Sequence, residues 1–107
     1  MKILLDENIP KRLKSDFGID YEVRTVQELK WTGKKNGELL GLMTFEGFDF
    51  FLTLDKNLQY QQNLKRFSIR IIILEASDSR YQTLQLLMLK VAKALSGKTP
   101  EQVTIIS

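Results

Sequence analysis

The sequence predicts an α/β fold in which a mainly parallel sheet carries helices on both faces, as a single domain over residues 1–107. Two observations carry this expectation. Three short segments, Ile3-Leu4-Leu5, Phe48 to Leu54 and Ile69 to Leu74, are almost continuously apolar, which marks strands buried on both faces rather than one. Between them lie segments with helical spacing or helix-ending glycines, and strands alternating with helices are the pattern of parallel β-α-β units with right-handed crossovers.

Each element follows from local chemistry. The first strand stops at Asp6 and leads into a helix with Pro10 in its first turn, Leu13 and Phe17 at i, i+4 on its apolar face, and Gly18 at its end. Tyr21 to Val26 alternates between apolar and polar, which predicts a less buried strand near an edge. Gln27 to Lys35 reads as a connection with at most a helical turn, and Trp31 within it is large enough to be expected in the core. A helix is expected from Asn36, an N-cap residue, with Glu38 in its first turn, Leu39, Leu42 and Met43 on one face and Gly47 at its end. Phe48 to Leu54 is the strongest strand, and it stops at Asp55 as the first stops at Asp6. A polar segment from Lys56 to Gln62 precedes Leu64 and the β-branched strand Ile69 to Leu74. Ser77-Asp78-Ser79 supplies N-caps for a last helix with Leu84, Leu87, Met88, Val91, Ala92 and Leu95 as its core stripe, ended by Gly97. Val103 to Ile106 adds a final strand.

Composition excludes several kinds of chemistry. With no cysteine, the chain has no disulfide, no thiolate zinc site and no cysteine nucleophile; with no histidine, it has no histidine base or ligand. General bases and metal ligands must then come mainly from carboxylates. Sixteen Lys and Arg against thirteen Asp and Glu give a net charge of +3, a mild bias towards a polyanion. The apolar opening is too short for a signal peptide or a membrane span, so the expected location is the cytoplasm and no membrane partner is expected.

Ligands of parallel α/β sheets gather beyond the carboxyl ends of the strands, and Asp6 and Asp55 both fall there. Two such acids repel unless a cation or proton offsets them, and Mg²⁺ or Mn²⁺ suits carboxylate and water ligands. Each acid also has a structural reading. Either aspartate can cap a following turn, with Asp55-Lys56-Asn57 as the second case. Glu38 is favoured in a first helical turn whether or not it binds metal, Glu7 reads as facing solvent or a lysine, and Asp78 reads as an N-cap or as part of the cleft lining. Lys34, Lys35 and Lys56 stand beside these acids in sequence and are candidates for phosphate contact, with Trp31 or Tyr60 as a stacking surface.

Leu4-Leu5-Asp6-Glu7-Asn8-Ile9-Pro10 resembles the opening motif of the short PIN-like domains labelled DUF5615, which are similar to the Mut7-C domain. Trp31 to Leu40 and Phe48 to Leu58 with Gln61 to Leu64 extend the likeness over nearly the whole chain. The resemblance implies a three-layer α/β/α fold and Mg²⁺- or Mn²⁺-dependent ribonuclease chemistry on RNA. It also implies the toxin's part in a toxin–antitoxin pair, with an antitoxin partner and a tendency to form homodimers. Carried over by position, Asp6, Glu38 and Asp55 are the catalytic and metal-binding acids; apart from that carry-over, Asn8, Asn57 and Asp78 are candidate accessory residues. Many relatives have Asp where Asn36 stands, and Asn57 occupies the neighbourhood of a fourth acid. Fewer carboxylates hold metal more weakly, so a PIN-like module that binds RNA or protein without cleaving is the alternative.

Overall fold

The structure, a computed structural model, describes residues 1–61, 63–97 and 101–107. Within these residues five strands, β1 (Lys2–Leu5), β2 (Glu22–Thr25), β3 (Phe50–Thr53), β4 (Arg70–Leu74) and β5 (Val103–Ile106), form one sheet in the order β2-β1-β3-β4-β5. Every pairing in it is parallel. Among the described residues, three α-helices, α1 (Asn36–Phe45), α2 (Tyr81–Gln85) and α3 (Met88–Ser96), and 3₁₀ segments at Lys11–Asp16, Lys56–Tyr60 and Leu64–Arg66 make the connections.

Alternation along the buried strands sends side chains to two cores. Ile3, Leu5, Phe50, Leu52, Ile72 and Leu74 pack on one face with Leu13, Leu84, Val91 and Leu95. Leu4, Phe51, Ile71 and Ile73 pack on the other with Leu39, Leu40, Met43, Leu58 and Leu64. The result is the expected three-layer α/β/α arrangement. A sheet covered on both faces leaves no room for charge inside it, and β3 is buried at all four positions. The strand edges follow the same logic: β2, whose Glu22 and Arg24 are exposed, lies at an edge, as its alternation predicts.

The path of the chain creates one special place. From β1 it steps outward to β2, then returns past β1 to β3 and continues to β4 and β5. The order therefore reverses between β1 and β3, where crevices open at the carboxyl ends of such sheets.

Several local expectations are corrected, among them the Ser77-Asp78-Ser79 cap of the last helix, where Arg80 is the N-cap and no side chain caps it. The crossover after β1 is a 3₁₀ segment, Lys11–Asp16, with Pro10 as its N-cap (φ −59°, ψ 132°) rather than in its first turn, and Phe17 is already extended. The 3₁₀ form rises about 2.0 Å per residue against about 1.5 Å for an α-helix, so six residues span more of the return path. In another correction, Lys35 is the N-cap of α1, with extended backbone (φ −72°, ψ 155°) and no side-chain cap bond, and Asn36 is the first helical residue. Finally, the last helix is divided: α2 and α3 are separated at Leu86 and Leu87, where the Leu87 N–H turns to the Leu84 carbonyl at 3.0 Å. Leu84, Val91 and Leu95 stay buried, but Ala92 is exposed, since one residue past Val91 lies about 100° round the helix from the sheet. Gln62 lies outside the described residues.

The two-sided core makes a direct prediction. Phe51 is 1% exposed and Phe45 is 86% exposed, so Phe51→Ala should lower unfolding stability by about 3–5 kcal/mol. Phe45→Ala should change it by about 0.5 kcal/mol or less. Chemical denaturation of both variants checks the contrast; equal losses would place Phe51 outside the core.

Candidate functional site

β1 and β3 run side by side with Leu5 opposite Leu52. Asp6 continues the ladder by one bond, its N–H donating to the Leu52 carbonyl at 2.9 Å, and its side chain then leaves the apolar sheet. On β3, Thr53 is the last strand residue and is fully buried. Its hydroxyl donates to Asp6 Oδ2 at 2.6 Å and accepts the Asp55 N–H at 3.0 Å. One buried hydroxyl therefore ties the first acid to the backbone of the second.

The remaining carboxylate contacts divide the load. Asp6 Oδ1 accepts the Glu7 N–H at 2.8 Å. Asp55 Oδ1 accepts the Asn57 N–H at 3.0 Å and so caps the 3₁₀ segment Lys56–Tyr60, while Oδ2 faces the Asn36 amide at 3.4 Å. An ionised carboxylate has about four acceptor sites, so each aspartate keeps capacity for another ligand. Burial, above all, pushes the Asp6 carboxyl above its ordinary value of 3.8, and the Glu7 and Asp55 charges push the same way. The bonds from Thr53 and the Glu7 N–H oppose this and do not prevail.

Both aspartates border a cleft of about 340 Å³. Glu7, Asn8, Lys34 and Asn36 supply further polar lining, and Val26, Trp31, Gly33 and Leu39 complete the walls. Asp6, Asp55, Asn8 and Lys34 thus come together as the sequence suggests. Glu38 does not join them: it is exposed and lies 3.6 Å from Lys34, and a carboxylate in the first helical turn is stabilised by the helix dipole without any metal. Among the described residues, no three acidic side chains converge as a metal-binding group. Lys56 pairs with Glu75 at 3.4 Å, and Lys35 is exposed at the start of α1. Asn57 contributes its backbone to Asp55. Asp78 is outside the cleft lining; its carboxylate accepts the Arg80 N–H at 2.9 Å and the Arg80 guanidinium at 3.1 Å, and that side chain, first among the causes, brings it down to about 2. Tyr60 is 77% exposed and does not line the cleft. Trp31 is half-buried, meeting Phe48 edge-on at 6.0 Å while also forming cleft wall, so it has a share of core and of surface.

Two residues matter more than their sequence signals indicate. Thr53 reads as an ordinary β-branched strand former, and only the odd hydroxyl inside an apolar segment marks it. Asn36 reads as a cap, yet its amide is turned to Asp55. Glu7, expected at the surface, is exposed and also borders the cleft. No protein-family model, curated protein or solved structure matches the chain.

The Thr53 link predicts that Thr53→Val lowers stability by about 1–3 kcal/mol, because the Asp55 N–H loses its acceptor. Thr53→Ser, which keeps the hydroxyl, should lose about 1 kcal/mol for the missing methyl. Denaturation of both variants tests this, and equal losses would remove the hydroxyl from the account.

Asp6 carries a prediction about pH. Its folded-state value is raised, so the folded chain holds that proton more readily than the unfolded one, and the ionised carboxylate weakens folding above the raised value. Below 3.8 it is protonated in both states and neutral to stability. Without divalent cation, Asp6→Asn should therefore be more stable than the parent at pH 7, with the gap closing as pH falls to 3.8. A gap that widens on acidification would contradict the assigned shift.

Proposed function

We propose that the protein is a Mg²⁺- or Mn²⁺-dependent ribonuclease whose ion is held by Asp6 and Asp55. The observation that carries this reading is the pair of aspartates at the point where strand order reverses, linked through one buried hydroxyl, with the Asp6 carboxyl raised by burial and neighbouring negative charge. A site whose charge is uncompensated, whose ligands are hard oxygens and whose acceptor sites are only partly used fits a hard divalent cation. Mg²⁺ typically takes one or two carboxylates and fills its remaining positions with water and substrate oxygens, so two aspartates suffice. Bound there, the ion would balance charge on a phosphodiester and make a water more acidic.

The chain's own residues have separate tasks. Thr53 and Asn36 hold the two carboxylates in place. Lys34, at the cleft wall, offers a cation to a phosphate, and Glu38 holds its ammonium at the rim. Asn8 adds an amide that can donate to a phosphate oxygen.

Glu38, paired with Lys34 and absent from the cleft lining, leaves one of the three expected metal-binding acids out of the site, and this favours a second reading: a PIN-like module that binds RNA without cleaving it. Cleavage of mixed RNA substrates separates them. The ribonuclease reading expects products with Mn²⁺ and none with chelator, and a loss of about 100-fold or more in Asp6→Asn and Asp55→Ala, with both variants still folded. Products that persist in chelator, or full activity in Asp55→Ala, would overturn it. If Mn²⁺ raises the melting temperature of the parent but no RNA is cut, the binding module stands instead.

A further inference from the structure

Trp31 lines two clefts. One is the acidic cleft; the other is a second cleft of about 380 Å³, bordered by Lys2, Glu22, Arg24, Leu29, Glu46 and Phe48 as well as Trp31. The two differ in electrostatic character. In the second, two cations face two acids, and both cations are engaged. Arg24 lies 3.2 Å from Glu22 and 3.8 Å from Glu28, while the Lys2 ammonium donates to the Glu46 carbonyl at 2.9 Å and sits 4.4 Å from the centre of the Phe48 ring. A balanced, partly apolar cleft beside an indole has no surplus cation for a phosphate. It suits a flat, uncharged group with polar edges.

The loop that carries Trp31 is built to hold it. Glu28 accepts the Thr25 N–H at 2.7 Å and returns its own N–H to the Thr25 hydroxyl at 3.1 Å, and Lys14 fastens its carboxylate at 2.9 Å. The Trp31 N–H donates to the Val26 carbonyl at 3.0 Å, and the Lys34 N–H donates to the Trp31 carbonyl at 3.2 Å. Lys30, just before the indole, adopts φ +62°, a left-handed conformation that L side chains rarely take. Strain kept at a single residue beside a binding surface is a pointer to function, because the surrounding contacts must maintain it.

We infer that Trp31 and the second cleft form a subsite for an unpaired nucleobase, stacked on the indole, of the nucleotide next to the phosphodiester that lies against Asp6 and Asp55. This rests on the reading of the acidic cleft as an RNA site, and it specifies the substrate as one whose base is free to leave its stack. Bases in a duplex are already stacked and paired, whereas those of single strands and loops present a π-face to an aromatic side chain.

The chain's one tryptophan makes the test direct. In an Asp55→Asn background, indole fluorescence is followed during titration with a uridine pentaribonucleotide and with an abasic ribose-phosphate pentamer of the same charge. The subsite predicts quenching by the first, and affinity for it about tenfold above that for the abasic oligomer, the size of one base–aromatic contact. By anisotropy of labelled oligomers, Trp31→Tyr should keep the preference and Trp31→Leu, which keeps an apolar partner for Phe48, should lose it. Equal affinity for the two oligomers, or no quenching by the uridine oligomer, overturns the inference even if Trp31→Leu fails to fold. The two readings fail separately: metal-dependent cleavage without base-dependent quenching removes only the subsite, and base-dependent quenching without cleavage removes only the hydrolase.

Discussion

Two aspartates at the carboxyl ends of neighbouring buried strands bring like charges to the border of an apolar sheet, and the architecture of the site is a response to that repulsion. Solvent is reduced at Asp6, so its charge must be met by fixed dipoles. The Thr53 hydroxyl and the Glu7 N–H do part of this work, and the Asn57 N–H and the Asn36 amide do the same for Asp55. The dipoles are not sufficient. Burial still holds the Asp6 carboxyl above its ordinary value, and that residual demand for positive charge is the physical basis for expecting a cation.

The sheet produces this situation through its topology. All-parallel strands covered on both faces must be apolar along their length, so polar chemistry is displaced to their ends. Reversal of the strand order between β1 and β3 opens a crevice there, and α1 and the loop before it wall the crevice with Trp31, Lys34 and Asn36. Burial of Thr53 then converts a stability feature into a positioning one. The same hydroxyl that satisfies the Asp55 N–H orients the Asp6 carboxylate, so the distance between the acids is set by the strand pairing rather than by mobile side chains.

Much of the framework was legible in the sequence because it follows from local rules. Apolar segments ending in acid identify β1 and β3, the alternation around Glu22 to Thr25 identifies an edge, and Gly47, with φ +79°, marks the close of α1. What was not legible depends on contacts between residues distant in sequence. The partner of the Thr53 hydroxyl is 47 residues away and is selected by the β1–β3 register. Asn36 has the composition of a cap, but a carboxylate 19 residues on attracts its amide, and Lys35 takes the cap position by backbone geometry alone. Glu38 shows the opposite case, where a local ion pair prevails over the role its motif implies. The 3₁₀ form of Lys11–Asp16 is likewise not signalled by its local residue pattern, which Leu13 and Phe17 at i, i+4 made helical.

The central claim is that Asp6 and Asp55 together create one cation site. Paramagnetic broadening by Mn²⁺ in a ¹⁵N–¹H spectrum tests it most directly, because broadening falls off steeply with distance from the ion and needs no substrate. Substoichiometric Mn²⁺ should first erase the amide signals of Asp6, Glu7, Asn36 and Asn57, and leave those of Asp49 and Asp78 sharp. Broadening centred on Asp49 or Asp78, or spread evenly over the surface acids, would contradict the account.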